Sequence, residues 1–489
     1  MNFVRISVVA ALSLIAHLGL VYGLLAVLPV WLAGPLVGVL LALVADEDAR
    51  TVLPGALAGL GVGCWVAQPW FLGSALELPA TLGLYIGLAV TTAMALTWVL
   101  GQRANPTQLR RWLALLVVAV LVGLLWLSTL RYNEGAFTPG EPTVNAWLNT
   151  PPALGQTPGD RDYFLSFFYQ TQAGVPYYDA VIATYKADAM GEFRLPNGVP
   201  GYRLPTLFAL WQLLPAQGSA LVPAFLLFAT LAVGSAYAIG AQLANGRAGL
   251  LSALLVAAAY LNISTSSYVV FVDGWAMAIT LAGLALLVAA QQRATRGLLW
   301  AAMAVLLLAA SMREILLYPI LLGMASVALL PRAQWWHALR PWLVTLTLFA
   351  LIYTTHILAI DGRVDKSGSV GFWLNGGFGH LLATLRFFDQ LIGGAPWFVP
   401  LLVLSGLAGA ARVMQTQRQL GALLVAAVLV PHLTFLLFGS AGRDLITGAV
   451  PGYWAMLVQP LALALAPVAW VQLGQPHKID SCLRLCDKG

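Results

Sequence analysis

The chain has 489 residues, of which 60% are hydrophobic and 9% carry a formal charge. So few charges cannot keep a soluble protein of that length in solution, and repeated apolar runs near the ~20 residues that cross a bilayer point to an all-α polytopic membrane protein. The net charge of +6 is scattered over short polar turns rather than gathered with aromatic side chains in a soluble domain, which argues against a nucleic-acid partner.

In chain order, spans are predicted at residues 6–28, 31–45, 53–69, 78–100 and 111–130. Arg5 and the apolar run to Leu28 have the polarity of a signal peptide. The run is longer than an h-region, however, and no small-x-small cleavage site follows, so a retained first helix is expected. Pro29, Pro35 and Pro54 interrupt the first hairpins. A long polar and aromatic segment occupies 131–218. Further spans are predicted at 219–243, 248–262, 268–290, 296–311, 314–330, 340–359, 396–412, 419–438 and 452–473. Residues 1–104 form an N-terminal transmembrane module with few ionisable groups, 105–473 the core, and 474–489 a cytoplasmic tail. Of the three cysteines, Cys64 lies in an apolar run, and Cys482 and Cys486 lie in that tail. A zinc site there would need two more ligands and only His477 is close, so a reduced tail is expected.

Basic residues mark one side of the chain. Arg103, Arg110 and Arg111 precede the fifth span; Arg247, Arg293 and Arg296, Arg332 and Arg340, and Arg412 and Arg418 fall in later turns. With alternating spans all of these face the same way, which the positive-inside rule makes the cytoplasm. Asp46, Glu47 and Asp48 fall there too, partly offset by Arg50. The opposite, outer face of the plasma (inner) membrane then receives segment 131–218, the turn before Asp273, the 360–395 loop and the 439–452 loop. A site would be assembled where these four meet. Within 131–218, Tyr163, Phe164, Phe167 and Phe168 share one face at helical spacing, as in a helix lying in the interface plane. Residues 204–214 are apolar but too short to span and are expected to be interfacial or re-entrant.

Asp160 and Asp162 open the first long outer segment, after Thr157-Pro158-Gly159. They read in two ways. Asp160 would serve as a helix N-cap with Asp162 in the first turn. Alternatively one is a carboxylate base, assisted by its neighbour or by a divalent cation. Asp273 stands at the outer end of a span, where an ionisable group is costly and is a functional candidate by default, the alternative being interfacial hydration. Arg313 and Glu314 read either as a local ion pair or with Arg313 turned to a donor phosphate. In the 360–395 loop, Asp361, Arg363, Asp365 and Lys366 precede Trp373 and Asn375. His380, Arg386 and Asp389 follow on what reads as a second interfacial helix. Trp373 and Trp397 suit either sugar stacking or an aromatic belt.

The order Asp160-x-Asp162-Tyr163, Gly174-x-Pro176-Tyr177, Tyr202-Arg203-x-Pro205-x-Leu207 resembles the first luminal loop of the GT-C glycosyltransferases. Closest in likeness are the mannosyltransferase that starts the GPI-anchor glycan and bacterial polyprenol-phosphate-mannose-dependent relatives. The motif likeness covers about 160–208; the likeness in topology extends from about 111 to the end. The 178–202 spacer is longer than in that pattern, and four extra spans precede the core. The resemblance implies a GT-C-like helical bundle with an outer loop of interfacial helices. It implies an inverting transferase that takes a sugar, mannose by the closest likeness, from a polyprenyl-phosphate donor to a lipid-linked glycan or protein acceptor. Asp160 or Asp162 would be the base, holding Mg or Mn if a metal is used. Arg443, in the loop before the final span and followed by Pro451, would contact the lipid phosphate, with Arg313 the second candidate. Tyr163, Tyr177, Tyr202, Arg203, Asp273 and Glu314 would line the substrate site. A lipid donor needs no nucleotide fold, and the chain has no phosphate-binding glycine loop. A transporter, an O-antigen-type polymerase and a non-catalytic subunit of a membrane assembly are the rival readings.

Overall fold

The computed structural model describes residues 106–134, 143–152, 160–187, 202–363, 377–388, 398–437 and 452–473. The spans predicted before residue 105 and the tail after 473, with all three cysteines, lie outside the described residues. Every described element is helical. After α1 (Pro106–Asn133), the described parts of 131–218 include four short helices: α2 (Val144–Leu148), α3 (Asp160–Gln172), α4 (Tyr177–Ala187) and α5 (Thr206–Trp211). Then come α6 (Leu221–Leu243), α7 (Gly246–Ser264), α8 (Val272–Arg293), α9 (Arg296–Met312), α10 (Tyr318–Ser326) and α11 (Trp335–Ile360). The chain closes with α12 (Phe378–Leu385), α13 (Phe398–Thr416), α14 (Arg418–Thr434) and α15 (Gln459–Leu473). Short 3₁₀ turns precede several helices, among them Ser267–Val270, Glu314–Leu317 and Gly452–Leu457.

Five stretches are long and apolar enough to cross a membrane: Gly218–Leu243, Gly246–Ser264, Val272–Arg293, Arg332–Ile360 and Val399–Thr416. With shorter apolar helices at Ala114–Leu130, Arg296–Met312, Glu314–Leu329, Arg418–Thr434 and Gln459–Val471, they make this a multi-pass membrane protein. Contacts between helices run in a closed circuit, from α6 through α8, α9, α11, α10, α14, α13, α15 and α7 back to α6, with α1 against α6 and α7. Apolar side chains on every face fit α8 for the interior, and it is buried from Val272 to Ala290 apart from Leu286. By contrast α11 turns Leu348, Leu351 and Leu358 outward, as a lipid-facing helix does. Gly406 and Gly409 let α13 lie directly on α15: a Cβ at either position would collide with the carbonyls of Ala462 or Leu465.

The two ends of the bundle differ. At one end α6 turns back into α7, α8 into α9 and α13 into α14 through one or two residues, and eight residues join α10 to α11. Asn245 caps α7 by accepting from the amides of Arg247 and Ala248 at 3.0 and 3.2 Å. Ala294, at φ 50, ends α8 in the left-handed region. Arg247, Arg293, Arg296, Arg332 and Arg418 lie at this end. The other end carries the longest connections, and they are stitched together. Asn133 donates to the carbonyl of Ser264 (2.9 Å), Tyr169 to that of Leu148 (2.6 Å), and Tyr268 packs on Phe387 at 5.0 Å. Described parts of three of the four segments expected to converge, 131–218, the turn before Asp273 and 360–395, lie at this end; of 439–452 only Gly452 is described, and residues 364–376, 389–397 and 438–451 lie outside.

Two local expectations change. The span predicted from 268 begins at Val272, because the Ser266 hydroxyl accepts from the Tyr268 amide and starts the 3₁₀ turn Ser267–Val270. And α3 is not a helix with one greasy face. Phe164, Phe167 and Phe168 are buried as expected, but so are Leu165 and Ser166, since α4 covers a second side. The Ser166 and Thr184 hydroxyls bond at 2.8 Å, and Gln170 Nε2 donates to Thr184 at 2.8 Å.

Candidate functional site at the capped end of the bundle

An aromatic wedge fixes the acidic helix start. Phe164 stacks on Phe208 (6.2 Å, 2°) and leans on Phe271, the residue before α8 (5.4 Å). Phe168 meets Trp211, and Trp211 meets Trp275 of α8. Arg161 Nη1 donates to Ser267 Oγ at 3.2 Å and lies 5.7 Å from the Trp147 ring. Asp160 and Asp162 therefore sit at a fixed place beside the start of α8. Both are in the first turn of α3, Asp160 exposed and Asp162 half-buried. Helix spacing of two turns their side chains to different sides. No group of three or more His, Cys, Asp or Glu comes together among the described residues.

Deeper in lies a charged group that spacing alone does not join. Arg313 Nε donates to Asp273 Oδ1 at 3.0 Å, and Arg313 Nη1 to Glu314 Oε1 at 2.7 Å. Asp273 and Arg313 are each 1% exposed and Glu314 20%. Asp273 is thus not hydrated at an interface, and the local Arg313–Glu314 pair is one arm of a triad. Two carboxylates face one guanidinium, and Oδ2 of Asp273 and Oε2 of Glu314 have no hydrogen-bond partner. Removing one member of such a buried set costs about 3–5 kcal/mol, because the charges left behind are stranded.

From Glu314 the polar groups continue outward. His356 and Tyr353 lie within its electrostatic reach. His356 Nδ1 bonds the Tyr178 hydroxyl at 2.9 Å. Tyr202 donates to the Arg363 carbonyl at 2.8 Å, and Arg363 Nη1 to Asp179 Oδ1 at 2.7 Å. Tyr177 donates to the Arg203 carbonyl at 2.8 Å and stacks on Phe208. Burial pushes the Tyr202 hydroxyl up to about 12, with Arg363 pulling the other way, and raises that of Tyr177 well above its usual range despite Arg203 beside it. Both remain neutral donors. Tyr163 stacks on Tyr185 at 4.9 Å, and Arg203 lies 5.9 Å from the Phe164 ring.

Of the residues singled out from the sequence, Asp160, Asp162, Tyr163, Tyr177, Tyr202, Arg203, Asp273, Arg313 and Glu314 all come to this end. Arg443 lies outside the described residues, as do Asp365, Lys366, Trp373, Asn375, Asp389 and Trp397. Sequence reading passed over Tyr178, Asp179 and His356. An ionisable residue near the C-terminal end of the apolar α11 was the available signal for His356. Compared with known proteins, the chain matches no family model, no curated protein and no solved structure.

Proposed function

We propose that the chain is a membrane-embedded, inverting glycosyltransferase of the GT-C kind, taking a sugar from a polyprenyl-phosphate donor. The observation that carries this reading is the placement of the Asp160–Asp162 turn. An aromatic wedge clamps it onto the end of an apolar bundle, where a lipid-borne substrate arrives with its head group at a fixed height. Asp160 or Asp162 takes the proton from an acceptor hydroxyl. The acceptor oxygen bonds to the anomeric carbon as the bond from that carbon to the phosphate oxygen breaks, and the electron pair leaves with the polyprenyl phosphate. Arg443 is the arginine proposed to hold that phosphate. Arg313 instead positions Asp273 and Glu314, which fixes the first turn of α8 beside the acidic helix.

The test is transfer by the full chain in lipid nanodiscs, from polyprenyl-phosphate mannose first and then from the corresponding glucose and galactose lipids. Asp160→Asn and Asp162→Asn keep size and capping capacity but lose the base. One of them is expected to lower transfer about 10²–10⁴-fold while the protein stays folded. No transfer from any donor, or near-normal transfer by both variants, sinks the reading.

A further inference from the structure

A second group of side chains at the capped end is built like a recognition set. His380, on α12, is 5% exposed and sits edge-on to Phe435 (5.6 Å) and Trp454 (5.7 Å, 89°). Neither of its ring nitrogens has a hydrogen-bond partner. Trp454, in the Gly452–Leu457 turn, is 5% exposed, and its indole N–H is also unpartnered. Gln459, at the start of α15, is fully buried; its Nε2 donates to the Thr384 carbonyl at 2.6 Å while its Oε1 has no partner. Thr384 in turn bonds the His380 carbonyl at 2.9 Å, tying Gln459 to the histidine's own helix turn. Buried polar atoms in folded proteins are nearly always paired, and here several are left over side by side on three elements.

Their chemistry is specific. Burial lowers the His380 pKa, so the ring is neutral and offers one donor and one acceptor. The indole adds a donor and the amide oxygen an acceptor. Among the described residues no charged side chain belongs to the set. A phosphodiester only accepts and an ammonium only donates, so neither satisfies it. A hydroxyl does both, and aromatic rings suit the C–H face of a sugar. A chain of contacts joins the helix of His380 to the acidic helix: Phe387, just past α12, packs on Tyr268, and Arg161 bonds the neighbouring Ser267.

We propose that His380, Trp454 and Gln459 form a binding site for an uncharged glycosyl unit. The link through Tyr268 and Ser267 to the acidic helix makes it the sugar subsite of the transferase reading, on which that role rests; glycoside binding itself does not depend on catalysis.

The experiment uses the full chain in lipid vesicles with ¹⁵N-labelled histidine, the His380 ring signals being those lost in His380→Phe. Methyl glycosides of mannose, glucose and galactose are titrated in, with dimethyl phosphate and ammonium as charged controls. The expected result is that one glycoside shifts both His380 ring nitrogens saturably and raises the unfolding temperature, while neither control does. Gln459→Leu should weaken that glycoside about tenfold, as for the loss of one hydrogen bond. His380→Phe should abolish the glycoside's effect on unfolding, yet unfold at a higher temperature than wild type without sugar, because an apolar ring replaces unpartnered nitrogens. The proposal is overturned if no glycoside shifts the signals, if dimethyl phosphate or ammonium shifts them equally, or if both variants respond to the glycoside as wild type does. Glycoside binding without transfer would sink the transferase alone; transfer without glycoside binding would sink this site alone.

Discussion

The two ends of this bundle solve different problems with the same apolar helices. At the basic end, one- or two-residue connections such as Ala244-Asn245 and Ala294-Thr295 fold the chain into hairpins, and arginines crowd the turns. Little else is built there. At the other end the connections are long, and they carry the aromatic wedge, the Asp273–Arg313–Glu314 triad and the His380 group. Tight turns fix which helices are neighbours; the long connections are then free to build a site on the ends that those turns align. Hairpin formation and recognition are thus separated by the thickness of the bundle.

This contrast can be broken by labelling. With Cys64, Cys482 and Cys486 replaced by serine, single cysteines at the exposed positions Gln217 and Asp361 should react with an impermeant reagent from one side of sealed vesicles only. Cysteines at Arg293 and Gln334 should react only from the other, an all-or-none difference. The positive-inside rule makes the second side cytoplasmic. Any pair from opposite ends that reacts from the same side undoes the description of two ends.

The next largest effect concerns the triad. Arg313→Met strands two carboxylates and should cost about 3–5 kcal/mol of stability, measured as an early unfolding midpoint. Adding Asp273→Asn and Glu314→Gln should restore most of it, since no charge is then left unbalanced. An Arg313→Met protein as stable as wild type would show that the capped end does not depend on the buried pair. Smaller still, Tyr178→Phe removes the bond to His356 and should cost about 1 kcal/mol in the same assay. The smallest change is expected for Asp179→Asn. Its partner Arg363 is 38% exposed and Asp179 itself 54%, and pairs so exposed contribute about 0–1 kcal/mol and less in high salt. A loss larger than that of Tyr178→Phe would mean that this rim is structural.

How much of this was legible depended on distance along the chain. Asn245 before Gly246, and the arginines beside each turn, act locally, so the hairpins and their common end could be read directly. The start of α8 was read four residues early because the Ser266 cap that makes a 3₁₀ turn looks, by hydropathy, like more of the span. The Asp273–Arg313 contact is forty residues long-range, beyond any spacing rule. It was still implicit: counting outward from the Ala294-Thr295 turn brings the two to nearly the same height on α8 and α9. The second buried side of α3, and the meeting of Trp454 and Gln459 with His380, had no such ruler. They depend on how separate loops pack against one another.

The triad also has a schedule. Asp273 is made first, and Arg313 follows forty residues later. At about 5–20 residues per second of synthesis, the aspartate precedes its counter-ion by about 2–8 s. During that interval α8 carries a carboxylate with nothing to balance it, in a helix otherwise greasy enough to enter lipid at once. Glu314 then arrives immediately behind the arginine and adds a second acid. The nascent protein therefore should not release α8 into the bilayer by itself. It should retain the helix at the insertion machinery until α9 emerges, and deliver the two together as a neutralising pair.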